Sequence, residues 1–134
     1  MVKAIFAEFD TSLGHEESLW HDYNLEVSSS LLKDFSSDDW IKLKEEIFFH
    51  PAYWQARCAE AIGYMENENG VNILIAVINS PHISVAAIAA SELDNMKISL
   101  PKTYKEKLLQ LLKCLQENRD NRIDEVKRLI ERLE

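Results

Sequence analysis

Glycine and proline are scarce, three of each in 134 residues, and that scarcity removes several folds at once. A dinucleotide turn or a phosphate loop needs glycines clustered where backbone must approach phosphates. Gly14, Gly63 and Gly70 are instead scattered. A sandwich of short strands would need a turn signal roughly every ten residues, which three glycines and three prolines do not supply. Cysteine is nearly absent too: Cys58 and Cys114 form no Cys-x-x-Cys and join no Cys/His cluster. They are expected as free thiols on helix faces, packed as small hydrophobes in a reducing compartment. No apolar run is longer than one such as Val85–Ala90, far below the ~20 residues of a membrane-spanning helix. The N-terminus also lacks the basic-then-apolar layout of a secretory signal. A cytoplasmic protein with no membrane role is expected.

Positive charge is missing from most of the chain. Residues 1–100 hold six basic and sixteen acidic side chains, net −10, whereas residues 101–134 hold nine and seven, net +2. Such a field repels nucleic acid and anionic membrane and steers cationic partners. Catalytic patterns are absent as well. His15, His21, His50 and His82 show no His-x-x-x-His spacing, so no metal site is expected. His50 and His82 stand beside Pro51 and Pro81 and read as turn or capping residues. The carboxylate pairs Glu16/Glu17, Asp38/Asp39 and Glu45/Glu46 are adjacent in sequence. On a helix neighbours diverge by about 100°, which rules out a shared glycosidase-type site. No enzyme activity and no cofactor is expected.

What the chain does have is a repeat, with a period of about 31 residues. Setting Trp40 on Val71 also sets Leu43 on Leu74 and Ile47 on Ile78, then Trp54 on Val85, Cys58 on Ala89, Ala59 on Ala90, Ile62 on Leu93 and Met65 on Met96. Steps of three and four mark one buried stripe per helix. Pro51 and Pro81 fall between the helices of each unit, where a missing N–H costs least. A hairpin of two such helices cannot cover its own apolar face, so the units are expected to stack. Ala56, Ala59, Ala61 and Gly63, with Ala86, Ala87, Ala89 and Ala90, supply the small side chains that close stacking needs.

The fold class expected is all-α: a short α-solenoid of stacked antiparallel helix pairs in a single domain. Residues 1–37 form an N-terminal cap, 38–66 and 71–96 two hairpins, and 101–134 C-terminal capping helices. Residues 1–14 fit strand, helix or coil. A short helix is expected over 15–23 and another after Ser28-Ser29-Ser30, the serines accepting its free N–H groups. Ser36 and Asp39 resemble a capping box before Trp40. Helices follow over 38–49, 52–66, 71–78, 83–93 and 102–117, with Asn67, Asn69 and Gly70 closing the second of these in left-handed backbone. The 71–78 segment is apolar nearly all round and should lie covered. Ile123, Val126, Ile130 and Leu133 form one stripe of a last, charged helix, suited to capping the stack and alternatively to a dimer seam.

Ala56-Arg57-Cys58-Ala59-Glu60-Ala61-Ile62-Gly63-Tyr64-Met65 resembles the second helix of a HEAT repeat. The period is shorter than the roughly 40–47 usual for that family, and the second copy carries Ala86 or Ile88 where the family often has arginine. Asp38-Asp39-Trp40 and Trp54-Gln55-Ala56-Arg57, within residues 31–96, are similar to small α-helical immunity proteins of bacterial toxin systems. That resemblance implies a cytoplasmic antidote that binds a basic toxin domain and blocks its active site or its access to substrate. The partner-binding candidates are Tyr53, Arg57, Glu60, Tyr64, Glu66, Ser91, Glu92 and Asn95. The partner expected is a protein, with no nucleic acid, and the free chain is expected to be a monomer. The alternative is a HEAT-like adaptor for an endogenous partner, which would show a more apolar exposed patch. A HEAT-like glycosylase is a third possibility, disfavoured because it would need a basic groove.

Overall fold

The computed structural model describes residues 4–134, and among them there are eight α-helices, three short 3₁₀ turns and no strand. The first segment is helical, α1 (Ile5–Ser12), with Phe6 and Phe9 buried. The part of the strand-or-helix question that concerns residues 1–3 lies outside the described residues. Phe35 receives both rings, at 5.8 and 5.4 Å between centroids, and meets Trp40 at 5.1 Å. Phe9 also reaches Trp54, whose Nε1 donates to Asp10 Oδ1 at 2.8 Å.

The next stretch departs from the sequence expectation. Residues 13–21 form turns and coil rather than a helix, and α2 runs over Asp22–Leu32, straight through the three serines. These serines therefore cap nothing. Ser28 and Ser29 are buried in the helix interior, and Ser28 shares a 2.7 Å hydrogen bond with Ser12 of α1. Small side chains let α2 lie close to its neighbours, which decides their placement over local capping preference.

Helix α3 (Ser37–Glu46) begins with the reciprocal box expected: Asp39 N donates to Ser36 Oγ at 3.2 Å and Ser36 N to Asp39 Oδ2 at 2.9 Å. A 3₁₀ turn, Ile47–Phe49, leads to α4 (Ala52–Tyr64). After the turn Glu68–Gly70 come α5 (Val71–Val77) and α6 (Ile83–Asn95). Lys102–Tyr104 is a third 3₁₀ turn before α7 (Lys105–Glu117), and α8 (Ile123–Glu131) ends the order. Helix α5 buries Ile73, Leu74 and Val77 and half-buries Val71, Ile75 and Ala76, with Asn72 its one exposed residue.

The repeat is visible in the backbone. Helices α4 and α6 are equally long, and the offset that carries Ala52 onto Ile83 at their starts also carries Glu46 onto Val77 at the ends of α3 and α5. Residues paired by that shift share burial: Leu43/Leu74, Ile47/Ile78, Trp54/Val85, Cys58/Ala89, Ala59/Ala90 and Ile62/Leu93 are all in the core. The left-handed closures repeat too. They sit at Glu66 (φ 49) and Lys97 (φ 60), not at the asparagines or Gly70. In each the next residue's N–H returns to the last turn, Asn67 N to Ile62 O and Ile98 N to Leu93 O, both at 3.1 Å. That bond satisfies a carbonyl the helix end would otherwise leave free, which offsets the roughly 1 kcal/mol of a left-handed non-glycine residue.

Packing follows alternate helices. Helix α2 lies on α4, α4 on α6 and α6 on α8, while α1 covers α2, α5 touches both α4 and α6, and α7 both α6 and α8. The α6–α8 contact is tied by a charge cluster. Asp94, only 2 % exposed, accepts from Arg128 Nε at 2.9 Å and Arg132 Nη1 at 2.8 Å.

Candidate functional site

The candidate residues occupy one side of α4 and α6, and the loop before α2 covers half of it. Arg57 projects from the middle of α4 and is 8 % exposed. Its Nη1 donates to Leu13 O at 2.8 Å, His15 O at 2.7 Å and Ser18 Oγ at 3.0 Å, and its Nη2 to Ser18 O at 2.9 Å and Glu16 O at 3.4 Å. The planar fork suits several carbonyls at once, as a lysine ammonium would not. Trp20 and Tyr53 flank the guanidinium, their centroids 5.3 and 5.2 Å from Cζ. Tyr53 also donates its hydroxyl to Gly14 O at 3.3 Å. This buried arginine holds residues 13–18 against α4, which explains why no helix forms there. Gly14, at φ +69, supplies the left-handed turn entering the loop.

One helical turn further along α4, Glu60 accepts from Trp20 Nε1 at 3.4 Å. Burial pushes its carboxyl above the ordinary range, while that bond and the charges of Arg122 and Arg57 pull it back. From α6, Glu92 extends its carboxylate over Gly63, where any side chain would collide with it. Burial raises Glu92 to about 7, the neighbouring Glu60 charge adds to the rise, and Arg122 opposes it. Two half-buried carboxylates from neighbouring helices therefore lie within reach of each other's charge, and near neutral pH Glu92 is poised to hold a proton. An incoming cation would replace that proton.

Of the eight candidates, the structure brings Glu60 and Glu92 together, with Arg57 beneath them and Tyr53 under the loop. Tyr64 is 44 % exposed at the end of α4, Glu66 and Asn95 are exposed, and Ser91 is half-buried. Trp20 and Arg122 belong to the same cluster and are not among the sequence candidates. Trp20 comes well before α4 along the chain, in the stretch read as a short helix, and Arg122 well after α6, next to the break before the last helix, so nothing local ties either to this surface. Asp94 does carry a signal. It holds the place in the second copy that Gly63 holds in the first, a charged residue where the other copy has none, and Arg128 and Arg132 are spaced to meet it from one helix face.

Among the described residues no group of three His, Cys, Asp or Glu side chains is arranged to hold a metal ion. Nor is any described helix long and apolar enough to cross a membrane. Cys58 and Cys114 are free thiols, the first buried and the second half-buried. No protein-family profile, curated protein or solved structure matches the chain.

Proposed function

We propose that this protein is an immunity protein, a binding module on a HEAT-like stack of helix pairs that neutralises a basic toxin domain through an acidic surface. The observation that carries the reading is the Glu60/Glu92 pair, whose carboxyls are both raised by burial, Glu92 further by the charge of Glu60 beside it. A lysine or arginine of a partner set there would relieve their repulsion and take the place of the proton on Glu92. Tyr64, Glu66, Ser91 and Asn95 surround the pair and supply the polar rim of a contact surface. The net −10 of residues 1–100 adds steering of a cationic domain.

The solenoid part of the reading is supported by alternate packing of α2, α4, α6 and α8, by the repeat offset shared by the helix ends and by the matched left-handed closures. An adaptor for an endogenous partner is the second reading. Exposed apolar side chains favour it, Leu19 at 72 %, Tyr23 at 75 % and Phe49 at 88 %.

Capture on this protein as bait from the source organism, followed by mass spectrometry, separates the two. One large secreted protein held through a basic C-terminal domain supports the immunity reading; recovery of housekeeping subunits alone moves it to the adaptor. Against the captured toxin domain, Glu60→Lys with Glu66→Lys should weaken affinity at least tenfold at low salt. Unchanged affinity would remove the acidic face from the contact.

A further inference from the structure

Helix α2 is packed on one side and bare on the other. Tyr23, Val27 and Leu31 recur every fourth residue of α2, so they run down one line of its surface, and Leu19 of the lead-in loop lines a hollow with Tyr23 and Val27. Leu19 is 72 % exposed, Tyr23 75 % and Val27 37 %. A groove of about 440 Å³ follows the seam with α1, lined by Ala7, Glu8, Thr11, Ser12, Val27 and Leu31. It continues past Tyr23 into hollows of about 500 Å³ toward Leu19 and about 330 Å³ toward Asp34.

Two features state what would cover this line. The first is packing order. Helix α4 lies between α2 and α6, and α6 between α4 and α8, whereas among the described residues α2 has such a neighbour on one side only. At the opposite end α8 exposes Asp124, Lys127, Arg128 and Glu131, so that end is polar, with Leu109 of α7 as its exposed apolar residue. A stack of helices needs a polar outer face where it stops; the α8 end has one, whereas at the α2 end the apolar line of Tyr23 and Val27 runs exposed between Asp22, Glu26 and Ser30. A further helix on the α1–α2 seam would do for α2 what α2 does for α4. The second feature is charge. Glu26 and Asp34 border the groove, and residues 10–34 hold six acidic side chains against one basic, Lys33.

From these we infer that the α1–α2 groove is a docking site for an amphipathic helix of a partner protein, its apolar stripe set on Tyr23, Val27 and Leu31 and its flanks carrying lysine or arginine. Helix-in-groove recognition reads such anchors at steps of three and four, and the acidic border selects basic flanks. The inference does not rest on the carboxylate pair of α4 and α6, which lies beyond the 13–21 loop.

The test uses the whole chain and a synthetic amphipathic peptide built from leucine and lysine, with a leucine and glutamate peptide of the same pattern as control. Expected are amide shifts confined to residues 7–34 with the lysine peptide, no binding of the glutamate peptide, and at least tenfold weaker binding for Tyr23→Glu and Val27→Glu. Phe49→Glu, at an exposed apolar site on a different segment, and the Glu60→Lys/Glu66→Lys variant should bind as the parent does. Urea unfolding keeps the variants comparable, since Tyr23 is mostly exposed and its loss should leave stability unchanged. Shifts centred on α4 and α6, equal binding of both peptides, or equal weakening by Phe49→Glu would overturn the inference. So would a dimer in sedimentation that Tyr23→Glu dissolves, because the occupant would then be a second copy of this chain.

Discussion

Replacing Arg57 with methionine tests whether one buried guanidinium shapes the surface beside it. Hydrogen bonds to a charged donor contribute about 1.5–3 kcal/mol each, so its three bonds of 2.9 Å or less to backbone carbonyls would total about 5–9 kcal/mol if each counted in full. That total is too large. His15 is exposed and Ser18 half-buried, so their carbonyls can turn to water once the arginine is gone. Leu13 is fully buried, and its carbonyl has no such escape. The contacts with the Trp20 and Tyr53 rings add about 0.5–1 kcal/mol each, part of which the methionine stem retains. The expected loss is about 2–4 kcal/mol, or roughly 10 °C in Tm for a chain of this size. Urea unfolding at constant m-value measures it, and amide exchange should rise across residues 13–21 before it rises in α4. Arg57→Lys should recover less than half, because one ammonium cannot reach both ends of the loop. A loss under about 1 kcal/mol, or exchange in residues 13–21 unchanged from the parent, would refute the account.

Three further outcomes follow from the same geometry. Asp94→Asn removes the charge that pairs with Arg128 and Arg132, which are themselves partly exposed, so the loss should be about 2–3 kcal/mol rather than the full cost of breaking a buried pair. Exchange confined to α8 would report it, and a parent-like urea midpoint would show the pairs to be idle. Glu92 rises in the folded protein from 4.5 to about 7, so between those values the folded state keeps a proton the unfolded chain has lost. Stability should therefore fall as pH climbs through that window, by on the order of 1–2 kcal/mol after allowance for partial exposure. Glu92→Gln should flatten the dependence, and an identical slope in parent and variant would count against the raised Glu92 carboxyl. Burial raises the Cys58 thiol far above its ordinary value, so a thiol reagent at pH 8 should modify Cys114 in the native protein and reach Cys58 only on unfolding; fast modification of both would contradict the packing of α4.

The helical character, the central helices and the residues of their core are legible in the sequence because they rest on local rules. Steps of three and four place Leu43, Ile62, Leu74 and Leu93 on one side of their helices whatever lies opposite. The Ser36/Asp39 box works within a single turn, and the repeat offset reappears in the helix ends and burial. Residues 13–32 depart from expectation for the complementary reason. Local preference favours a helix ending near Tyr23 and a serine cap at Ser28, but Arg57, distant in sequence, draws residues 13–18 into a loop, and close packing buries the serines inside α2. The left-handed closures at Glu66 and Lys97 likewise fall on charged residues, because the hydrogen bond back into the last turn outweighs the preference for asparagine or glycine.

The candidate surface divides along the same line. Periodicity alone selects Glu60, Tyr64 and Glu92 as positions on helix faces. That Glu92 lies over Gly63 within reach of the Glu60 charge, that Trp20 and Arg122 join them, and that Arg57 turns inward to grip a loop depend on contacts between segments far apart in the chain. Sequence by itself determined the helices and which of their sides are apolar, since both follow from the 3.6-residue turn. Only the tertiary structure decided which charges face one another, because burial and Coulomb repulsion depend on distances that no spacing along the chain encodes.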